Sequence, residues 1–394
     1  MTFCRFVKHF SDYRVNSAGA VLRLIFLVLL AVVPVVAAEE RVFTEDRFGA
    51  GELKYINDVP VLSVAGSPTE MGRQIAALTG PQIKQLIDYP KRLLTRRAGA
   101  EEGVAKYLSM CRTLFRQLPE EYREEMRATA DQLGLEPDLG LLANFLPDIY
   151  RRGFSCSSLI VEPEHSATAA PIFGRNLDFY TLGMLDKYTL VTVYHPKGKR
   201  AFVSIGFPGL FGCLSGMNEA GLTAAVHEVF LSRDGAEIFN PRGIPYTFAI
   251  RRVLEQCSSV EEVEREFQAM ERTTIINLAL CDARKSKVLE MTPKTVASRG
   301  AIDGICACTN HFRTDELAVF AWCPRYRRLI QARSKERLTV ADVAQKMHEV
   351  NLVSLTVQTM IFEPAALRLH LAFGSCPSSA LPLKVVELKP LLTP

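Results

Sequence analysis

At Cys156 the chain changes its hydrophobic rhythm, and that change limits the folds open to it. Before it, helical periodicity dominates: Leu108, Cys111, Leu114, Phe115 and Leu118 recur at intervals of three and four, on one helix face. Ser67-Pro68-Thr69-Glu70 reads as a helix start, with Ser as N-cap, Pro at the first helical position and Glu reaching back. An extended stretch from Lys54 to Val64 precedes it, and helices are predicted over Glu120 to Leu133 and Leu139 to Tyr150, ending in Arg151-Arg152-Gly153. After Cys156 come short runs rich in β-branched and aromatic residues, bounded by Gly, Pro or Asn: Ser158–Val161, Tyr188–Tyr194, Ala201–Gly206 and Leu222–Val226. A helical block follows from Tyr246 to Met270, with Ser258 or Ser259 able to cap its second half. Strands return at Ile275–Cys281, Lys287–Met291 and Ile305–Thr309, helices at Tyr326–Arg333 and Val340–Val350. A hairpin, Leu355–Phe362 and Leu367–Phe373, turns at Glu363-Pro364-Ala365-Ala366. Strands clustered between helical blocks predict sheets layered against helices, not a regular βαβ winding.

The N-terminus reads as an export signal over residues 1–38: basic residues from Arg5 to Arg23, an apolar run from Leu24 to Ala37, and small residues Val36-Ala37-Ala38 at a cleavage spacing. The apolar run spans about 21 Å as a helix, short of the roughly 30 Å hydrocarbon core, which disfavours a membrane anchor. The expected location is therefore exported, periplasmic or extracellular, with no stable membrane span after signal removal. The net charge of +4 includes Arg5, Lys8, Arg14 and Arg23 of that segment, so the remainder is near neutral and does not point to nucleic acid. The ten cysteines are scattered without a CxxC, and Cys306-Ala-Cys308 is too tight for most zinc sites.

No GxGxxG follows a strand, and GxxxxGK[ST], HExxH and GxSxG are absent. The dinucleotide, P-loop, zincin and α/β-hydrolase readings fall with them. What remains is a series of short strings: Phe154-Ser155-Cys156-Ser157-Ser158, Gly174-Arg175-Asn176-Leu177-Asp178, Asn218-Glu219-Ala220-Gly221-Leu222, Cys308-Thr309-Asn310-His311-Phe312 and Cys323-Pro324-Arg325-Tyr326. In this order they resemble the N-terminal-nucleophile (Ntn) cysteine hydrolases: the acyl-coenzyme A:6-aminopenicillanate acyltransferase (C45) group, choloylglycine hydrolase and acid ceramidase. The resemblance runs from about Val59 to the C-terminus and is best from Cys156 to Arg325.

The resemblance implies a fold and a set of roles. The fold is α+β, an αββα sandwich of two antiparallel sheets between helical layers. Residues 39–155 would be a mostly helical pro-segment or, retained after cleavage, a small subunit, and 156–394 the catalytic domain. Cys156 matches the nucleophile. Arg175 and Asp178 match residues that hold the nucleophile and its α-amino group, Asn310 an Asn that binds substrate or oxyanion, and Arg325 an Arg beside the nucleophile. Two departures stand out. The gap from Cys156 to Arg175 is long, around Glu162–Ala170, and a second oxyanion Asn of the bile-salt enzymes aligns near His227-Glu228.

The chemistry fits these residue types. A thiol near pKa 8.5 is mostly protonated at neutral pH, yet the thiolate is the nucleophile. A free α-amino group, with a pKa near 7.7–8.0, can take the proton, and Cys156 acquires one only when the Ser155–Cys156 bond is broken. The expected reaction is cleavage of a linear amide bearing an acyl chain, or transfer of its acyl group, without metal or organic cofactor. Plainer readings stand beside this one. Arg175 and Asp178 also suit a surface ion pair, Asn218 a turn, Asn310 a cap, Arg325 a solvated helix face, and His227 and His311 a structural wall. A phospholipase B-like ester hydrolase and a non-catalytic exported binding protein of the same fold are the alternatives.

Overall fold

The computed structural model describes residues 41–98, 101–150, 155–320 and 322–393. The predicted signal segment 1–38 and Arg151-Arg152-Gly153 lie outside them. Val42–Pro394 form one compact unit, so residues on both sides of Cys156 share it.

The strands are β1 (Asp46–Phe48), β2 (Gly51–Ile56), β3 (Val59–Gly66), β4 (Ser155–Val161), β5 (Ile172–Asp178), β6 (Leu190–Pro196), β7 (Phe202–Gly206) and β8 (Ser215–Asn218). They continue as β9 (Thr223–Glu228), β10 (Ile276–Cys281), β11 (Ser286–Met291), β12 (Val296–Gly300), β13 (Ile305–Cys308), β14 (Thr356–Glu363), β15 (Arg368–Ala372) and β16 (Lys384–Glu387). Ten of them form one sheet, in the order β1-β2-β3-β6-β7-β8-β9-β10-β11-β12, and six the other, β13-β4-β5-β14-β15-β16.

Alternate residues of β4 and β5 show the layering, as the two-residue period of a strand requires. Ile160 and Phe173 join the main core with residues of the ten-stranded sheet. Leu159, Val161 and Ile172 turn the other way and pack with Leu329, Val343 and Met347 of helices Pro324–Ile330 and Val340–Glu349. The sheets meet where β4 faces β9, and helices Pro68–Leu86, Tyr246–Gln256 and Val260–Ala269 pack on the ten-stranded sheet. This is the αββα layering expected.

Helix Pro68–Leu86 starts at the predicted capping box, with both Ser67–Glu70 bonds formed. Ser259, not Ser258, caps the helix that follows Cys257, its hydroxyl accepting from the Glu262 N–H.

Three features differ from the sequence reading. The stretch Lys54 to Val64 is a hairpin: β2 and β3 pair antiparallel around Asn57 and Asp58, both at positive φ (49° and 60°), the conformation a two-residue hairpin loop demands. The sheets are not wholly antiparallel, because β3 pairs parallel with β6. The chain leaves β3 through five helices, Pro68–Leu86 to Pro137–Ile149, and through β4 and β5 before returning, which is the long crossover a parallel pair needs. The segment before Cys156 is therefore not only helical: it supplies three strands to the larger sheet.

Candidate active site

Cys156 is the second residue of β4, an interior strand, and is 1% exposed. The other four residues singled out in the sequence, Arg175, Asp178, Asn310 and Arg325, gather around it. Arg175 lies on the neighbouring strand β5, paired with Ser158 two residues beyond Cys156, so its side chain shares the face of the cysteine. Its Nη2 is 3.3 Å from Cys156 Sγ. Its Nε donates to Ser215 Oγ at 2.7 Å, which holds the guanidinium in place. Arg175 is fully buried, unlike a surface ion pair.

Asn310 follows β13, the strand on the other side of β4. Its Oδ1 accepts the backbone N–H of Cys156 at 3.0 Å, and its Nδ2 donates to the Glu228 carbonyl at 2.8 Å. Arg325, in the first turn of helix Pro324–Ile330, completes the clamp. Its Nη1 donates to the Cys156 carbonyl at 2.7 Å and its Nη2 to Asn310 Oδ1 at 2.8 Å. The same guanidinium lies 3.8 Å from Asp178 Oδ2. Asp178 sits in register with Ser155, the residue before the cysteine. Its Oδ1 accepts from the Thr356 hydroxyl at 2.6 Å, and its Oδ2 has no hydrogen-bond donor among the described residues.

Burial governs the protonation of this cluster. It pushes the Cys156 thiol up, with the Arg175 charge opposing. It also raises the Asp178 carboxyl to about 6, against the Thr356 hydrogen bond and the Arg325 and Arg175 charges. The thiol is therefore held protonated.

Arg175 Nη1, the hydroxyl of Ser158 on the same face of β4 as Cys156, and both ring nitrogens of His227 lack partners among the described residues. Burial and the nearby Arg175 and Arg325 charges hold His227 well below its ordinary pKa, hence neutral. Asn218, by contrast, is fully used. Its Nδ2 donates to the Leu254 and Cys257 carbonyls, and its Oδ1 accepts the Ala220 and Leu222 N–H groups. It shapes the turn in which Gly221 holds φ 80°, with any Cβ there meeting the Pro364 carbonyl at 2.6 Å.

Ser215 and Thr356, which position Arg175 and Asp178, were not singled out in the sequence. A lone hydroxyl on a short strand carries no pattern of its own. Next to the cluster, residues following Asp178 and preceding Ser215 open an apolar pocket. Phe179, Leu214, Phe207 and Leu210 line it from one side, Leu86, Tyr89 and Leu146 from the other. Asn144 fixes the Phe207–Phe211 loop, donating to the Gly209 carbonyl and accepting the Phe211 N–H.

None of the nine cysteines among the described residues forms a disulfide, and no described cluster of His, Cys, Asp and Glu suits a metal. No described helix is long and apolar enough to cross a membrane.

Residues 165–356 match the family model "Acyl-coenzyme A:6-aminopenicillanic acid acyl-transferase", the group the motifs resemble. Curated relatives include an uncharacterized protein of Archaeoglobus fulgidus, 24% identical over 195 residues (43% of this chain, 32% of the relative). Another is protein dcd1B of Dictyostelium discoideum, 23% identical over 248 residues (57% and 48%). The chain thus spans less than half the length of these two relatives. Solved structures with a similar fold include the Caenorhabditis elegans ortholog of N-acylethanolamine-hydrolyzing acid amidase (TM-score 0.43, 17% identity, 53% of this chain and 93% of that one). A second is penicillin V acylase from Agrobacterium tumefaciens (TM-score 0.42, 15% identity, 56% and 83%). At these scores the likeness adds nothing to the strand order and layering described above.

Proposed function

Taking the acyltransferase-family match of residues 165–356 as the premise, we propose that the chain is an autoprocessing cysteine Ntn hydrolase, which cleaves a linear amide C–N bond through an acyl-enzyme on Cys156. One observation carries the reading: Asn310 Oδ1 accepts the main-chain N–H of Cys156. A buried side-chain acceptor is aimed at the one atom that self-cleavage turns into an amine.

In the uncut chain Cys156 Sγ attacks the Ser155 carbonyl, the Cys156 nitrogen leaves as the amine, and water hydrolyses the thioester. The new ammonium finds Asn310 Oδ1 already in place, and Asp178 Oδ2 is a nearby acceptor without a donor. In its neutral form the new α-amine is the base that the buried thiol lacks, since free α-amino groups have a pKa near 7.7–8.0 and can take the thiol proton to become that ammonium. Arg175, 3.3 Å from the sulfur, stabilises the thiolate. In turnover the thiolate attacks the substrate carbonyl, the amine leaves with the proton held by the α-amino group, and water releases the acyl chain. An amine in place of water makes the reaction an acyl transfer. The apolar pocket beside Phe179 and Leu214 suits the acyl chain. Its other wall comes from residues before Cys156, so the pro-segment belongs to the working enzyme.

Intact mass measurement of the wild type beside Cys156→Ala tests this. Cleavage at the signal site and before Cys156 yields pieces of about 13 and 27 kDa, scaled from 43.9 kDa for 394 residues. The larger piece should begin at Cys156, and the variant should stay uncut. An uncut wild type would remove the amine base and with it the mechanism.

A further inference from the structure

Attack by the Cys156 sulfur on a carbonyl turns the carbonyl oxygen into an oxyanion, and a buried reaction needs a donor aimed at it. Asn310, the residue the motifs offer as that donor, is already committed. Its Nδ2 donates to the Glu228 carbonyl at 2.8 Å, and its Oδ1 accepts from the Cys156 N–H and from Arg325. Arg175 gives Nε to Ser215 and holds Nη2 at the sulfur.

His227 stands one residue before Glu228 on β9 and is fully buried. Strand geometry fixes the side it faces. Ala225 is in register with Ser215, so both side chains leave the ten-stranded sheet on one face, and His227, two residues on, leaves on the same face. That face carries the Ser215 hydroxyl, which accepts from Arg175. It also carries Asn277, in register with His227, whose Nδ2 donates to the Thr309 and His311 carbonyls at 2.9 and 3.1 Å, on either side of Asn310. His227 is thus set between the support of Arg175, which touches the sulfur, and the support of Asn310, which touches the Cys156 N–H. Neither of its ring nitrogens has a hydrogen-bond partner among the described residues. Such an unpaired donor is costly in a folded core unless the chemistry uses it.

Building on the proposed function, we propose that His227 is a further catalytic residue, whose ring N–H donates to the oxyanion formed when Cys156 Sγ attacks a carbonyl. The carbonyl is that of Ser155 in self-cleavage and that of the substrate amide in turnover. In the step the S–C bond forms and the carbonyl π pair moves onto oxygen, which His227 holds by a hydrogen bond without giving up its proton. On collapse the C=O bond re-forms, the C–N bond breaks, and the nitrogen leaves as the amine with the proton that came from the thiol. Burial and the Arg175, Arg325 and Arg299 charges keep the imidazole from taking a second proton, with the Ala225 backbone weakly opposing. A neutral imidazole carries one N–H, and with neither nitrogen bound either can carry it.

Self-cleavage needs no added substrate, so it supplies the test: the time course of fragment appearance after cell-free synthesis, per folded molecule. His227→Leu fills much of the same space without a donor and should slow the larger fragment about 100-fold. His227→Asn returns an amide N–H and should recover the rate to within about tenfold of wild type. In melts of the uncut Cys156→Ala chain, His227→Leu should be no less stable than its parent, because it removes an unpaired buried ring. His227→Met takes its place if the Leu chain does not fold. An apolar variant that cuts within about twofold of wild type overturns the proposal, as does an Asn chain no faster than the apolar one. An apolar variant that melts lower yet cuts normally makes the ring a structural neighbour of Asn277, whose Oδ1 also lacks a donor among the described residues, and overturns it too. A wild type that stays uncut overturns the proposed function and this inference with it, whereas the other outcomes strike the inference alone.

Discussion

Replacing Arg251 by Met tests what joins the residues before Cys156 to those after it. Arg251 is 1% exposed, in helix Tyr246–Gln256. Its Nη1 and Nη2 grip Glu125 at 3.1 and 2.6 Å, its Nε bonds Glu255 at 2.8 Å, and Nη1 also donates to the Phe211 carbonyl at 3.0 Å. The guanidinium lies 4.5 Å from the Tyr194 ring centroid and 4.9 Å from that of Tyr122. Met fills a similar volume but leaves two buried carboxylates behind. Glu255 keeps Lys199 at 2.7 Å and the Tyr122 hydroxyl at 2.7 Å. Glu125 loses both charge-assisted bonds, and burial already raises its pKa. One uncompensated buried carboxylate sets the loss at about 3–5 kcal/mol. The measurement is guanidinium denaturation of the uncut Cys156→Ala chain with and without Arg251→Met. Adding Glu125→Gln, which removes the orphaned charge, should restore roughly 2 kcal/mol. A loss below about 1 kcal/mol, or a double variant whose losses merely add, would show that the pair is not coupled and refute the reasoning.

Other expectations concern the cluster itself. The Asp178 carboxyl is raised from 3.8 to about 6 in the folded chain, so the fold binds its proton more tightly than the unfolded chain does. Stability should therefore fall as pH rises from about 4 to 6, by about 3 kcal/mol at 1.36 per unit, and Asp178→Asn should flatten that slope in melts of the uncut chain. An unchanged slope would place the titration elsewhere. Arg175→Met should slow appearance of the larger fragment roughly 10- to 1000-fold, the thiolate losing its nearest cation; a normal time course on gels counts against that role. Asn218→Ala removes four buried hydrogen bonds and should cost about 3 kcal/mol in thermal melts, with cleavage per folded molecule unchanged. A specific loss of cleavage would instead assign Asn218 to the chemistry.

The strands legible in the sequence were those with continuous β-branched or apolar runs, such as β4, β6 and β10. Of those it missed, β1, β8, β12 and β16 are short and polar or small (Asp46-Arg47-Phe48, Ser215-Gly216-Met217-Asn218) and exist because neighbouring strands supply their hydrogen bonds, whereas β5 is a buried seven-residue strand whose apolar run is interrupted by Gly174-Arg175-Asn176. The Asn57-Asp58 turn was a readable signal, masked because apolar residues flank it on both sides. The candidate site was legible as five separated strings, since each carries an uncommon residue in a fixed local context. Their partners Ser215 and Thr356 were not, because a hydroxyl's role depends wholly on what folds against it.

The sequence by itself determined the change from helix to strand at Cys156, the capping of Pro68–Leu86 and the types of residue available for chemistry. All of these follow from local periodicity and side-chain chemistry. Only the tertiary structure decided that Arg175 meets the sulfur, that Asn310 faces a main-chain N–H and that Glu125 pairs with Arg251. It also decided that β3 joins β6 in parallel. Each joins positions far apart in the chain, and such pairings are set by sheet register and by the cost of leaving buried polar groups unpaired, neither of which a local pattern encodes.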